Sequence, residues 1–184
     1  TYCDNVVLNK LYERARGRKG IIRRKSAERS IAELKHLIDR YEITFVRFWD
    51  EDFLAVGFKE LELYADLYRE HIGLPFIIYA RMESLSENKV KILRKMGCVT
   101  IATGIESGSE FIRRDVLNRR ISNQQIMEKA EVVRKHGLRL SAYNIIGLPM
   151  ENRERIFETI QINRAAAIAA SSCTLLEPYP GTPI

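Results

Sequence analysis

The sequence has few cysteines and no apolar run long enough to cross a membrane. Its three cysteines, Cys3, Cys98 and Cys173, lack the spacing of secreted scaffolds, which argues against a disulfide framework. The longest apolar stretch, residues 165–170, is far shorter than the roughly 20 residues that span a bilayer. The amino end also lacks the charged-then-apolar pattern of a signal peptide. A cytoplasmic location is therefore expected.

Metal-ligand histidine pairs and interdomain linkers are also absent from the sequence pattern. His36, His71 and His136 each fall near the end of a predicted helix, where an imidazole complements the helix dipole. No two of them have metal-ligand spacing, so all three are expected to be structural. No linker divides the chain, and residues 1–184 are expected to form one domain.

The charge that the chain does carry is mostly basic. A formal net charge of +6 and a pI near 9.3 favour anionic ligands such as phosphates, carboxylates or nucleic acid. Arginine and lysine are concentrated between Arg14 and Lys25, with Tyr12 as the aromatic residue beside them. A solvated basic loop is the favoured interpretation of this segment, and contact with RNA is the alternative.

Five apolar runs have the length and composition of β-strands, and a polar or glycine-rich cluster follows each one. The runs are residues 43–49, 76–80, 99–103, 138–146 and 173–176. In a parallel β/α fold, all five clusters would lie at the same rim, where barrel enzymes place their chemistry. We therefore expect the functional site at the carboxyl ends of these strands.

The segments between the runs have helical periodicity and recognisable caps. Ser26 and Ser86 are predicted N-caps, and Gly97 suits a left-handed C-terminal cap. Residues 122–125 form a capping box, and a last helix is expected to start at Asn152. A shorter helix is expected from Ser109 to Leu117.

Alternating strands and helices predict an α/β fold with a parallel sheet that curls into part of a barrel. The first helix precedes the first strand, and only an irregular basic lead-in, residues 1–25, is expected before it. The prediction is a partial TIM-like (β/α)6 barrel whose first strand is missing, with five β/α units in residues 26–184. The exposed edge of the 43–49 strand would invite pairing with a second chain, so either a dimer or covering of this edge by the basic lead-in is expected.

Four ordered motifs at the strand ends, and a fifth at the amino end, resemble those of the radical S-adenosylmethionine (radical SAM) superfamily. Residues 1–5, Thr-Tyr-Cys-Asp-Asn, resemble the tail of its Cys-x-x-x-Cys-x-x-Cys loop, so the chain is expected to be cut inside that loop. The others are Asp-Glu-Asp-Phe at 50–53, Gly-Ile-Glu-Ser-Gly at 104–108, Gly-Leu-Pro-Met-Glu at 147–151 and Pro-Tyr-Pro-Gly-Thr at 178–182. The branch most similar to this chain often carries a separate cobalamin-binding domain.

The resemblance implies a [4Fe-4S] cluster held by three cysteine thiolates, with S-adenosylmethionine chelating the fourth iron. Electron transfer would cleave the sulfonium and give a 5′-deoxyadenosyl radical. Cys3 would be the third cluster ligand. The first two cysteines are not in this sequence, so we expect the chain by itself to lack the cluster and to be inactive. Cobalamin would belong to a separate domain, and a small molecule is the expected substrate.

The resemblance also implies a set of cofactor-binding residues: Asp50, Glu51, Asp52, Arg81, Glu106, Ser107, Arg120, Gly147, Pro149 and Pro178. The acidic trio 50–52 would contact the methionine ammonium, with a solvated loop as the alternative. Arg81 would contact substrate or pair with its neighbour Glu83. Glu106, between two glycines, would accept hydrogen bonds from the ribose hydroxyls.

Other members of this set have alternatives that the sequence leaves open. Ser107 would bind an anion at a helix start or only cap the helix. Arg120, chosen narrowly over Arg119, would hold the methionine carboxylate in a bidentate pair. Residues 147–149 would form a wall beside adenine, and Pro178 would either meet adenine through its backbone or only form a turn. Trp49 would line the cavity or fill the core.

Two functional classes follow from this pattern. The first is an enzyme domain that generates a substrate radical. The second is a degenerate barrel that binds an adenosyl group or RNA without catalysis. An ordinary phosphate-binding barrel enzyme is less favoured, because the usual glycine-rich phosphate loop is not evident after the last strands.

Overall fold

The computed structural model describes Cys3, residues 5–17 and residues 24–184. Its centre is a sheet of five parallel strands in sequential order, curled into a half-barrel. The strands are β1 Val46–Arg47, β2 Phe76–Tyr79, β3 Cys98–Glu106, β4 Arg139–Ile146 and β5 Ala170–Leu175. This architecture confirms the predicted partial barrel.

Six α-helices accompany the described part of the sheet. They are α1 Asn5–Arg16, α2 Ala27–Arg40, α3 Phe58–His71, α4 Glu87–Met96, α5 Asn123–Lys135 and α6 Arg153–Ala165. The side chains of Ser26, Ser86 and Asn152 accept hydrogen bonds at their helix starts, as predicted, and residues 122–125 form the complete capping box. Gly97 ends α4 with a φ of 101°. The short helix expected after Ser109 is present as a wider π-type turn, Ile112–Val116.

The predicted irregular lead-in was wrong where the structure describes it, because residues 5–16 form helix α1. Val7, Leu8, Leu11 and Tyr12 recur at spacings of three and four, which is helical periodicity. Basic residues are so frequent in this part of the sequence that the apolar periodicity is difficult to recognise. The remainder of the lead-in, Thr1, Tyr2, Asp4 and residues 18–23, lies outside the described residues.

Three predicted strands differ from the structure in their bounds by more than one residue. Strand β3, expected at 99–103, continues to Glu106. The 43–49 run is regular only at Val46–Arg47, although the Phe48 N–H still donates to the Ile77 carbonyl at 3.0 Å. Strand β5 begins three residues earlier than expected, at Ala170. Its alanines and serines lack the β-branched composition that marks strands in sequence. With β1 so short, pairing of this edge with a second chain stays a prediction.

The two faces of the sheet have different surroundings. On one face, Phe76, Ile78 and Ile101 are fully buried in the main apolar core, which the helices α2–α5 complete. The opposite, concave face carries alternate residues such as Tyr79 and Tyr143, which are partly exposed. The fold therefore packs one face of the sheet against helices and leaves the other as the wall of an open half-barrel. No helix in the described part of the chain is long and apolar enough to span a membrane.

Gly108 allows helix α6 to approach the end of β3 closely. A Cβ atom at this position would lie 2.1 Å from the Glu158 carbonyl oxygen and 2.4 Å from the Thr159 nitrogen, both backbone atoms of α6. The Gly108 N–H donates to the Thr159 hydroxyl at 2.8 Å. Because backbone atoms cannot move aside independently, any side chain here would push α6 away from the sheet.

Gly108→Ala is expected to lower the free energy of unfolding by about 1–3 kcal/mol, because the added methyl group overlaps the α6 backbone. Gly57→Ala is the matched control, since a Cβ at Gly57 meets no atom within 4 Å and φ is −63°. Urea denaturation of both variants measures the difference. Equal stabilities would show that α6 does not pack this closely in solution.

Candidate active site

A cavity of about 420 Å³ opens at the carboxyl ends of the central strands, within the size range of small-molecule sites. Its wall includes Cys3, Glu51, Arg81, Gly104, Glu106 and Arg119. Tyr79 and Tyr143 extend the same wall along the concave face of the sheet. The rim that the sequence predicted is therefore the place where three of the six charged candidates meet: Glu51, Arg81 and Glu106.

Arg119 is the electrostatic centre of this cavity. Its Nε and Nη2 atoms donate to the two oxygens of Glu83, both at 3.0 Å, in a bidentate pair. Its Nη1 atom donates to the Gly104 carbonyl at 2.8 Å and to Glu106 Oε1 at 3.3 Å. The Arg119 residue is 9% exposed, so these interactions are only weakly screened by water. One guanidinium thus joins the ends of β2 and β3 to the loop before α5.

The pKa of Glu83 reflects this pairing. Burial raises the pKa of the carboxyl group, but hydrogen bonding and charge attraction from Arg119 outweigh burial and lower it to about 2. Glu83 is therefore ionised throughout the physiological pH range. Its charge balances the guanidinium in the cavity wall.

The end of β3 is shaped to turn Glu106 into the cavity. A bulge between Gly104 and Glu106 shifts the pairing of β3 with β4, and Glu106 has a φ of 70°, which is rare for a residue with a side chain. The carboxylate folds back over Gly104, where a Cβ would lie 2.0 Å from Glu106 Oε1. Glycine at 104 is therefore a steric requirement for this position of Glu106.

Arg113, which was not predicted from the sequence as a site residue, holds together the segments that follow β3 and precede α5. It is fully buried and donates to the Ser107 carbonyl at 2.5 Å, the Ile121 carbonyl at 3.2 Å and Asn123 Oδ1 at 2.6 Å. Burial lowers its pKa to about 10, so it remains charged. In sequence Arg113 looks like its surface neighbour Arg114, and only the three-dimensional contacts distinguish them.

The acidic trio at the end of β1 divides between two cavities, because Asp50 and Asp52 line one and Glu51 lines the other. Glu51 lies in the cavity wall and accepts a hydrogen bond from the Asn5 side chain at the start of α1. Asp50 lines a separate cavity of about 290 Å³ between α2 and α3, where burial raises its pKa while Arg24 opposes the shift. Asp52 accepts from Ser84 Oγ at 2.5 Å and from the Leu54 N–H at 3.1 Å, which ties two rim loops together.

Arg81 and Ser107 differ in their access to a ligand. Arg81 lies in the cavity wall and forms the expected ion pair with Glu83 at 3.4 Å. Ser107 is fully buried, and its hydroxyl accepts from the Ser109 N–H at 3.2 Å. The geometry of Ser107 thus favours a role in the turn.

Arg120 is exposed and does not line the cavity, whereas its neighbour Arg119 does. The sequence analysis chose Arg120 narrowly for a ligand carboxylate, and that role stays a prediction. The position of the two side chains favours Arg119. Sequence alone offered no signal to separate adjacent arginines on one loop.

Gly147, Pro149 and Pro178 follow β4 and β5 at the same rim but do not line this cavity. Glu151 organises the first of these turns by accepting from the Gly147 N–H at 2.6 Å and the Leu148 N–H at 3.3 Å. Roles for these residues beside an adenine ring therefore stay predictions.

The start of helix α1 lies at the rim of the cavity, where Asn5 is part of the wall. Asn5 contacts Glu51 after β1, and Val7 lies against Gly181 after β5, where a Cβ would be 3.5 Å from Val7 Cγ2. The first turn of the helix therefore touches the segments that follow both edge strands.

The cysteines do not gather at one place. Cys3 lines the cavity, Cys98 is buried in the apolar core with its pKa raised to about 12 by burial, and Cys173 is exposed on β5. Among the described residues, no three histidine, cysteine or acidic side chains come together to hold a metal ion. The chain thus offers one thiol at the cavity and does not complete a three-thiolate cluster site.

Replacing Glu83 by Gln tests the central ion pair. Its folded-state pKa of about 2 lies below the ordinary 4.5, so its charge stabilises the fold above pH 4.5 and loses this effect as the pH falls toward 2. With 32% of the side chain exposed, we expect Glu83→Gln to cost about 1–2 kcal/mol at pH 7 and less near pH 3. Urea denaturation at both pH values measures this, with the exposed Glu62→Gln as control. A cost independent of pH would contradict the pairing.

Comparison with known proteins places these features in a family. The model of the radical SAM superfamily matches residues 1–162. An uncharacterised methyltransferase of Pyrococcus horikoshii is 30% identical over 157 residues, which cover 85% of this chain and 34% of that protein. The anaerobic magnesium-protoporphyrin IX monomethyl ester cyclase of Rubrivivax gelatinosus is 21% identical over 152 residues, covering 82% of this chain and 27% of that one.

Solved structures share the fold. The radical S-adenosylmethionine methyltransferase TsrM from Kitasatospora setae, with cobalamin and a [4Fe-4S] cluster bound, superimposes with a TM-score of 0.74 at 14% identity. That alignment covers 87% of this chain and 33% of the other. The chain therefore spans about a third of the length of the relatives it matches. The family match over residues 1–162 shows that the chain belongs to the radical SAM superfamily.

Proposed function

We propose that the 420 Å³ cavity binds S-adenosylmethionine, and that the whole protein cleaves it reductively at a [4Fe-4S] cluster to give a 5′-deoxyadenosyl radical. The observation that carries this proposal is that Cys3, Glu106 and Arg119 line one cavity at the carboxyl end of the sheet. The superfamily match and the resemblance of the motifs support it.

The charges of the cavity suit the amino-acid end of this ligand. S-adenosylmethionine carries a carboxylate, an ammonium and a sulfonium, so it needs both signs of charge nearby. Arg81 and Arg119 supply positive groups, and Glu51 and Glu106 supply negative ones, within the same wall. Charge-assisted hydrogen bonds to such groups are stronger than neutral ones. Arg119 is our candidate for the carboxylate and Glu51 for the ammonium.

Glu106 is suited to hold the ribose. Its side chain is 13% exposed, lies over Gly104 and is oriented by Arg119 at 3.3 Å. A carboxylate accepts hydrogen bonds from two adjacent hydroxyls, and the absence of a side chain at Gly104 lets a sugar approach the sheet. Arg119 would therefore position Glu106 as well as attract the ligand.

Cys3 would supply one thiolate to the cluster. A bound cluster would provide the electron for sulfonium cleavage. The other cysteines of this chain do not fit that task, since Cys98 is buried in the core and Cys173 lies on β5. We assign the radical chemistry, and any use of cobalamin, to the longer protein. The chain by itself is proposed to be inactive.

The alternative proposal is a barrel that binds an adenosyl group or RNA without radical chemistry. This alternative is favoured if the longer protein also lacks the two cysteines that would precede Cys3 in the loop. Both proposals use the same binding residues, and they differ only in whether an iron–sulfur cluster forms in the longer protein.

Ligand binding is tested with the adjacent arginines as a matched pair. We expect Arg119→Gln to weaken binding of S-adenosylhomocysteine about tenfold or more, because a charge-assisted contact is lost. We expect Arg120→Gln to have little effect. Isothermal titration calorimetry measures both affinities, and circular dichroism checks that each variant is folded. A larger loss in Arg120→Gln would reverse the assignment of the two residues.

Cluster formation separates the two proposed functions. After anaerobic reconstitution, we expect the 184-residue chain to hold far less iron than the four atoms per molecule of a complete cluster. The longer protein should show the cluster's absorbance and release 5′-deoxyadenosine from S-adenosylmethionine when it is reduced. If the longer protein binds S-adenosylhomocysteine but no iron, the non-catalytic alternative holds.

A further inference from the structure

Three aromatic rings form a row on the concave face of the sheet. The Trp49 and Tyr79 ring centroids lie 4.9 Å apart, and those of Tyr79 and Tyr143 lie 5.9 Å apart with planes inclined by 22°. The hydroxyl groups of the two tyrosines are within hydrogen-bond distance, at 3.2 Å. We call Trp49, Tyr79 and Tyr143, together with Arg47, the aromatic shelf.

The small residues of β3 allow this row to form. Tyr79 pairs in register with Ala102 on β3, and Tyr143 pairs with Gly104 on the same strand. The two tyrosines therefore come from strands on either side of β3 and meet above its small side chains. A large residue at 102 or 104 would separate the rings.

Trp49 lies beside the edge strand β1, and its ring faces solvent. It is 76% exposed, although it is the largest apolar side chain of the chain. Its ring contacts Tyr79, and the Arg47 guanidinium lies 4.9 Å from the Trp49 centroid and 5.3 Å from that of Tyr79. Exposed aromatic surface of this kind is typical of a surface that a ligand covers.

Arg47 adds a positive charge to the shelf. Among the described residues, no carboxylate forms an ion pair with it, and its guanidinium rests on the two rings. Burial and the Tyr143 hydroxyl raise the pKa of Tyr79 to about 12 against the opposing charge of Arg47, so its phenol stays protonated. The two tyrosine hydroxyls share one hydrogen bond, which leaves the second O–H of the pair to donate to a ligand. The shelf thus combines a flat apolar surface with a cation and a donor.

The shelf is continuous with the proposed adenosyl site. Tyr79 and Tyr143 line the same cavity as Glu106 and Arg119. We infer that the aromatic shelf binds a flat aromatic ring carrying an anionic group, which is the substrate class of this domain. The ring would stack on Trp49 and Tyr79, and the anion would pair with Arg47. The assignment as substrate rests on the proposed function, whereas binding of the ring does not.

The test uses the single tryptophan of the chain, which lies on the shelf itself. The probe is quinoline-2-carboxylate, added to the 184-residue chain without any adenosyl ligand. We expect saturable quenching of Trp49 fluorescence, corrected for absorbance of the probe. Cyclohexanecarboxylate, which has the charge without the flat ring, and quinoline, which has the ring without the charge, should each bind at least about fivefold more weakly.

Variants assign the binding to named side chains. By calorimetry, Tyr79→Leu should weaken the affinity for quinoline-2-carboxylate about tenfold, and Arg47→Gln about fivefold. Tyr41→Leu, which removes an exposed ring at the end of α2, should leave it unchanged. Equal losses in all three variants, or equal binding of all three probes, would overturn the inference.

A separate titration with S-adenosylhomocysteine distinguishes this inference from the proposed function. We expect Arg47→Gln and Trp49→Phe to bind it like the unmodified chain. Should these variants lose the adenosyl ligand instead of quinoline-2-carboxylate, the shelf would be an adenine site and the inference would be wrong. If S-adenosylhomocysteine fails to bind at all while quinoline-2-carboxylate binds, the proposed function fails and the shelf stands.

Discussion

The pairing of Arg119 with Glu83 and Glu106 is the interaction on which the site depends. It connects groups that follow two neighbouring strands and a loop thirteen residues further along the chain. In the partly buried cavity, one guanidinium satisfies two carboxylates that would otherwise repel each other. The same arrangement leaves charges of both signs at the wall of one cavity, which the ligand proposed above requires.

Glycines that leave room for neighbouring groups are as important to the arrangement of the rim as the charged residues are. Gly104 leaves space for the Glu106 carboxylate, and Gly108 lets α6 reach the end of β3. Gly104 also lies, with Ala102, beneath the meeting point of Tyr79 and Tyr143. One short segment at the end of β3 therefore positions the Glu106 carboxylate, helix α6 and the aromatic row. It can do so because residues 102, 104 and 108 have a small side chain or none.

In the open half-barrel, the face of the sheet that stabilises the fold is not the face that carries the candidate site. The helix-covered face of the sheet holds the main apolar core, whereas the concave face holds exposed rings and the charged rim. The first turn of helix α1 contacts Glu51 and Gly181, which follow the two edge strands. Substitutions on the concave face can thus alter the candidate site with little loss of packing in the core. This suits a fold that is shared by proteins of very different sequence.

Hydrophobic periodicity, caps and strand-end motifs determined the order of elements from α2 onward, the parallel sheet and the rim as the candidate site, because these signals are local or repeat along the chain. The tertiary structure decided which charges meet. It placed Arg119 in the cavity and Arg120 outside it, buried Arg113 beside the exposed Arg114, and separated Glu51 from Asp50 and Asp52, which line a different cavity. Adjacent residues of the same type have identical local signals, and only a bulge, a loop path or a distant partner distinguishes them.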